Sequence, residues 1–100
     1  MGSGNADSAT GETGAITVRY WAAARSAAGV AGDRIEVRGA VPLGEVVRRA
    51  AELHPDTRLP VVLRICSVLV GDRPVSTADP DAVLVEPGAQ VEFLPPFAGG

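Results

Sequence analysis

The sequence predicts an α+β domain, a mixed sheet with one main helix packed across it. Three observations lead there. Stretches with apolar residues at every second position stand near both ends of the chain, around Ile16–Tyr20 and Val91–Leu94. One clear helical stripe lies between them, over Leu43–Leu53, and no second long stripe accompanies it. Gly and Pro fall between these segments and divide the rest into short pieces. At 100 residues, 46% of them hydrophobic, the chain has material for one modest core and too little for two domains of ordinary size.

Residues 1–14 are polar, rich in Gly, Ser and Thr, and without periodicity, so they are expected to be a disordered tail ahead of a domain over 15–100. No charged and then apolar leader opens the sequence, which sets a cytoplasmic expectation. Met1-Gly2 begins a myristoylation pattern, but Ala6 occupies the position that needs Ser or Thr.

Structure is expected to start at Ile16, where Ile16, Val18 and Tyr20 alternate with Thr17, Arg19 and Trp21. Of the two adjacent aromatics, one packs under the helix and the other is exposed. Ala22–Ala28 reads as a short helical turn closed by Gly29, and Arg34–Val37 alternates again as a second strand paired with the first.

In the main helix Leu43, Val46, Val47, Ala50 and Leu53 share a face, with Glu45, Arg48, Arg49 and Glu52 away from it. Pro42 suits its first position and Pro55 stops it. His54 at its end serves the helix dipole better than it serves catalysis. Residues Asp56–Arg64 read equally as loop or short helix.

Cys66–Val70 is apolar and β-branched, a third strand ending at the turn signal Gly71-Asp72. Val83–Val85 is a short strand. Glu86-Pro87-Gly88-Ala89 has Pro second and Gly third, as a type II turn requires, and Val91–Leu94 is the last strand.

Composition removes several functions. No apolar run approaches the ~20 residues of a membrane span. A net charge of −3 and a pI near 5.0 argue against nucleic acid as a partner. Cys66 and His54 are the sole residues of their types, too few for a disulfide, a Cys-rich metal site or an iron–sulfur cluster. Cys66 is read as a small buried residue. All nine basic residues are arginine, so a modifier built on this chain cannot extend itself through lysine.

Chemistry is expected at the end of the chain. Pro95-Pro96-Phe97-Ala98-Gly99-Gly100 follows the last strand directly, with no charge except the terminal carboxylate. Two prolines favour an extended exit, and the last four residues span ~13 Å at ~3.3 Å each. Gly99 and Gly100 lack Cβ atoms and suit a narrow channel. A carboxylate becomes a usable electrophile when adenylated, after which sulfide displaces AMP and leaves a thiocarboxylate. Phe93, Pro95, Pro96, Phe97 and Ala98 are expected to touch a partner, although alternation requires one of Phe93 and Leu94 to be core.

Val91–Gly100 resembles the C-terminal signature of the MoaD family, the small subunit of molybdopterin synthase, and Arg19–Arg25 resembles that family's opening strand and following helix. The resemblance spans about Ile16 to Gly100. It implies a ubiquitin-like β-grasp fold and a sulfur donor in molybdenum cofactor biosynthesis. It also implies that Gly100 is adenylated by a MoeB-like enzyme using ATP and receives sulfur by way of a sulfurtransferase. The tail then enters a MoaE-like large subunit, typically in a heterotetramer of two small and two large subunits, where cyclic pyranopterin monophosphate becomes the dithiolene. The carrier binds no cofactor, and the catalytic groups belong to the partners. Related carriers deliver sulfur to thiazole or cysteine synthesis, and others form isopeptide bonds. A non-covalent interaction module is the remaining alternative.

Overall fold

The computed structural model describes residues 13–96. Its central sheet contains β1 (Thr13–Tyr20), β2 (Gly32–Arg38), β4 (Ser67–Val70), β5 (Arg73–Val75) and β7 (Gln90–Leu94) in the order β2-β1-β7-β4-β5. β1 and β7 run parallel, and every other neighbouring pair is antiparallel. The helices are α1 (Ala22–Ala28), α2 (Leu43–Leu53) and α3 (Leu59–Leu63). A smaller pair, β3 (Val41–Pro42) with β6 (Leu84–Val85), and a 3₁₀ turn at Pro80–Ala82 complete the domain.

The alternation in β1 has the expected meaning: Ile16, Val18 and Tyr20 are buried while Thr17 and Arg19 are exposed. Trp21 continues the exposed side. The strand begins earlier than its apolar pattern, because Thr13 and Gly14 pair with Arg38 and Val37 of β2. The tail expected over 1–14 therefore gives up its last two residues to the ladder, and residues 1–12 lie outside the described part. Gly14 has a packing reason, since a Cβ there would sit 2.8 Å from the Cβ of Pro87.

α1 closes as expected on Gly29, whose φ of 79° and amide bond to the Arg25 carbonyl form a left-handed cap. α2 occupies the predicted span and buries Leu43, Val46 and Ala50, while Leu53 at the end of the stripe is exposed. Pro42 stands one position before the helix instead of in its first turn. It pairs with Leu84 in the small sheet, and the Leu43 amide donates to the Val83 carbonyl at 2.7 Å.

The ambiguous segment resolves into α3, with Pro60 near its start where a missing donor costs nothing. Cys66 belongs to the exit of that helix and not to β4. Its amide donates to the Leu63 carbonyl and its thiol to the Val62 carbonyl at 3.3 Å. β5 was not expected. Gly71, with φ 62°, turns the chain back so that Arg73–Val75 pairs with β4 at the sheet edge, where Pro74 is tolerated. In the predicted type II turn Gly88 has φ 92° and the Ala89 amide donates to the Glu86 carbonyl.

The core lies between the sheet and its helices. Register places Tyr20 beside Phe93, Phe93 beside Val68 and Val68 beside Val75, a row that crosses four strands. Ala24 and Ala28 of α1, the buried face of α2, and Leu59, Val62 and Leu63 of α3 pack against this side in one continuous cluster.

Candidate functional site

β7 is the middle strand of five, so the chain leaves the sheet from its best-supported position. Its last residue, Leu94, pairs with Ser67 on one side. On the other side the Trp21 amide donates to the Phe93 carbonyl at 3.1 Å. Phe93 is fully buried and stacks on Tyr20, with ring centroids 6.1 Å apart. Pro95 is buried and Pro96 exposed, so the passage from core to surface takes one residue.

This geometry corrects two of the expected partner contacts. Phe93 and Pro95 are enclosed by their own domain and have no surface to offer, because alternation in β7 turns Phe93 toward the helices. Pro96 is accessible. Phe97, Ala98, Gly99 and Gly100, the remainder of the proposed site, lie outside the described residues.

The root of the tail is flanked on its open-sheet side by a fixed aromatic. The Trp21 indole N–H donates to Glu92 Oε1 at 2.9 Å, and the Gln90 amide donates to Glu92 Oε2 at 2.9 Å. The Arg19 guanidinium lies 5.1 Å from the centre of the indole, a cation–π contact. Both carboxylate oxygens of Glu92 are thus engaged, and the half-exposed indole is held in one orientation. Ala22 follows with a left-handed φ of 50°, the corner at which the chain turns from β1 into α1.

Sequence reasoning assigned no role to a second cluster nearby. Asp33 Oδ2 accepts a hydrogen bond from the Tyr20 hydroxyl at 2.9 Å and lies 2.6 Å from His54 Nε2. These contacts tie the end of α2 to β1 and β2, a stronger restraint than the dipole contact expected for His54. Burial pushes the Tyr20 hydroxyl pKa far up, and the hydrogen bond to Asp33 and its negative charge add to that. The cluster is a structural clasp behind the tail root. Its sequence separations of 13 and 21 residues leave no local signal.

Cys66 is buried as expected, and burial raises its thiol to about 11. Among the described residues, no group of three His, Cys, Asp or Glu side chains comes together to hold a metal. No helix there is long and apolar enough to cross a membrane. Arg48 and Arg49 both reach Glu45 on the exposed side of α2, the solvated face that the sequence indicated.

A mixed five-stranded sheet, its first and last strands parallel at the centre and helices across one side, defines a ubiquitin-like β-grasp protein. The chain belongs to the ThiS family, whose model matches residues 18–100.

Solved structures agree on the fold. The HVO 2177 protein of Haloferax volcanii is similar at 26% identity and a TM-score of 0.66, the match covering 88% of each chain. SAMP1 from the same organism is similar at 20% identity and a TM-score of 0.65, covering 87% of this chain and 100% of that one. A Pyrococcus furiosus protein provisionally described as molybdopterin converting factor, subunit 1, is similar at 20% identity and a TM-score of 0.64, covering 84% of this chain and 99% of that one. No curated protein matches the chain.

Proposed function

We propose that this chain is a sulfur carrier whose terminal Gly100 carboxylate is the attachment point. One observation carries the reading: the family match continues through Gly100, the last residue, and the segment it ends in is rooted in the central strand of a rigid sheet. In the reaction ATP adenylates the carboxylate with loss of pyrophosphate, and sulfide displaces AMP to give the thiocarboxylate. The chain supplies the carboxylate and a firm base for the tail. Partners supply the catalytic groups, an adenylating enzyme of the MoeB kind first and a sulfurtransferase next.

For the destination of the sulfur we propose the dithiolene of molybdopterin, made in a MoaE-like large subunit in a two-plus-two assembly. The resemblance of Val91–Gly100 to the MoaD signature supports this, and delivery to thiazole or cysteine synthesis fits the ThiS-family match equally well. A second reading, a protein modifier, draws support from the likeness to small archaeal modifier protein 1. Both readings begin with adenylation of Gly100.

Incubation with ATP, an adenylating enzyme and a sulfur source, followed by intact mass measurement, tests the carrier. The expected gain is the mass difference between sulfur and oxygen, and a chain that never acquires it is not a carrier. Co-purification with a large synthase subunit, a thiazole synthase or a cysteine synthase identifies the destination, whereas slower-migrating conjugates in cell extract mark the modifier.

A further inference from the structure

β2 is an edge strand, and among the described residues no strand pairs with its outer side. The ladder fixes which of its residues present their backbone there. The Tyr20 amide donates to the Ala31 carbonyl, so these two continue the β1–β2 register as a hydrogen-bonded pair. Such pairs recur at every second residue. Asp33, Ile35 and Val37 therefore direct their amides and carbonyls to β1, while Gly32, Arg34, Glu36 and Arg38 turn theirs outward. The amides of Thr17 and Trp21 agree with this alternation, since they donate to the β7 side of β1.

The free row is charged. Arg34, Glu36 and Arg38 are exposed, whereas Ile35 and Val37 between them enter the core. Charges on an edge ordinarily keep strands apart. Their order here acts more specifically when the strand meets its own copy. β2 runs from Gly32 to Arg38 with Ile35 at its midpoint, so full antiparallel overlap sets Ile35 against Ile35 of the second copy and Arg34 against its Glu36. Outward backbone groups then meet outward groups along the whole strand. Sliding one strand by two residues, the smallest step that keeps this match, opposes Arg34 to Arg38 and Glu36 to Glu36 in one direction. In the other direction it opposes Arg34 to Arg34. One register is favoured by charge, and both of its neighbours are penalised.

We propose that this chain pairs with a second copy of itself through β2, antiparallel and centred on Ile35, to form one continuous sheet. The two-fold axis of such a pair stands perpendicular to the sheet, so the helices of both copies lie on the same face. Leu53, left 50% exposed at the end of the α2 stripe, lines the same groove as Ile35 and adds an apolar contact beside that axis. The tail root stays clear, because β7 lies two strands in from the paired edge. The internal Arg34–Glu36 pair, 3.5 Å apart and exposed, is readily exchanged for contacts across the axis. Seven residues of strand make a weak and reversible dimer.

Sedimentation equilibrium of the full chain over a range of concentrations tests this, with hydrogen exchange of the parent as a second measurement. The parent is expected to move from the mass of one chain toward that of two by millimolar concentration. The amides of Arg34, Glu36 and Arg38 should exchange more slowly as it does. Arg34→Glu and Glu36→Arg each set like charges against one another and should each weaken self-association about tenfold or more at low salt, and less at high salt. An equimolar mixture of the two variants restores association, because Glu then opposes Arg at both positions. Both residues are exposed, so thermal melting should match the parent chain. If a variant melts early, the amides of the parent decide without any substitution.

A parent that stays monomeric to millimolar concentration overturns the proposal. So does a dimer in which those amides remain unprotected, or one that the two variants form alone as readily as together. Slow exchange of the same amides in the dilute monomer would mean that the edge is covered from within the chain, and would overturn it equally.

Discussion

The ring of Phe93 lies over that of Tyr20, centroids 6.1 Å apart and planes within 20° of parallel. The contact joins the last strand to the first at the level where the tail departs, and it anchors the exit of the chain to the core. Phe93→Ala is expected to cost about 3–5 kcal/mol, the usual loss for removing a buried aromatic. Chemical denaturation measures it. A loss below about 1 kcal/mol would mean that the tail root does not depend on the core.

The hydroxyl of Tyr20 gives a pH signature. Its folded pKa is raised above the ordinary value of 10.0, by burial first and by Asp33 second. The group therefore contributes stability that is complete below about 10.0 and is lost as pH climbs from there toward the folded value. Tyr20 is the one tyrosine, so the phenolate absorbance of the protein reports it alone. That band should appear only as the fold is lost in alkali. In Asp33→Asn it should appear at lower pH than in the parent yet still above the ordinary value, because burial persists. A reversible titration near 10.0 in the folded parent would contradict the burial of this group.

Asp33→Ala removes the acceptor shared by Tyr20 and His54 and should cost about 1–3 kcal/mol, since the part-buried hydroxyl loses its partner. His54→Ala should cost less, because Tyr20 keeps its bond. Equal losses in the two variants would show that the clasp works through His54 alone.

Cys66 should be inert. Its thiol is buried and raised to about 11, so near neutral pH almost none of it is thiolate. Labelling by a thiol reagent should be slow in the folded chain and rapid in denaturant, and Cys66→Ala should still accept sulfur. Rapid labelling of the folded protein would reopen Cys66 as a reactive group.

Much of this fold is legible in the sequence wherever periodicity and burial coincide. The Leu43–Leu53 stripe, the Gly29 cap and the Pro87-Gly88 turn each carry a local physical cause, and each stands where that cause puts it. β5 is short, carries Pro74 and exists because β4 offers it an edge, so nothing within Arg73–Val75 announces it. Alternation alone requires one of Phe93 and Leu94 to be core without saying which. The register of β7 against β1 decides for Phe93. The Tyr20, Asp33 and His54 clasp is a property of three elements brought together, invisible until the sheet and α2 are in place. The tail was the most legible functional feature, and the structure corrects its root by assigning Phe93 and Pro95 to the interior.

The central claim is that sulfur is carried on Gly100. Tandem mass spectrometry of the C-terminal peptide, after incubation with ATP, an adenylating enzyme and a sulfur source, tests it most directly. The account predicts sulfur in place of one oxygen on Gly100, and no such species when Gly100 is deleted from a chain that melts like the parent. Sulfur found instead as a persulfide on Cys66, or on no residue at all, would contradict it.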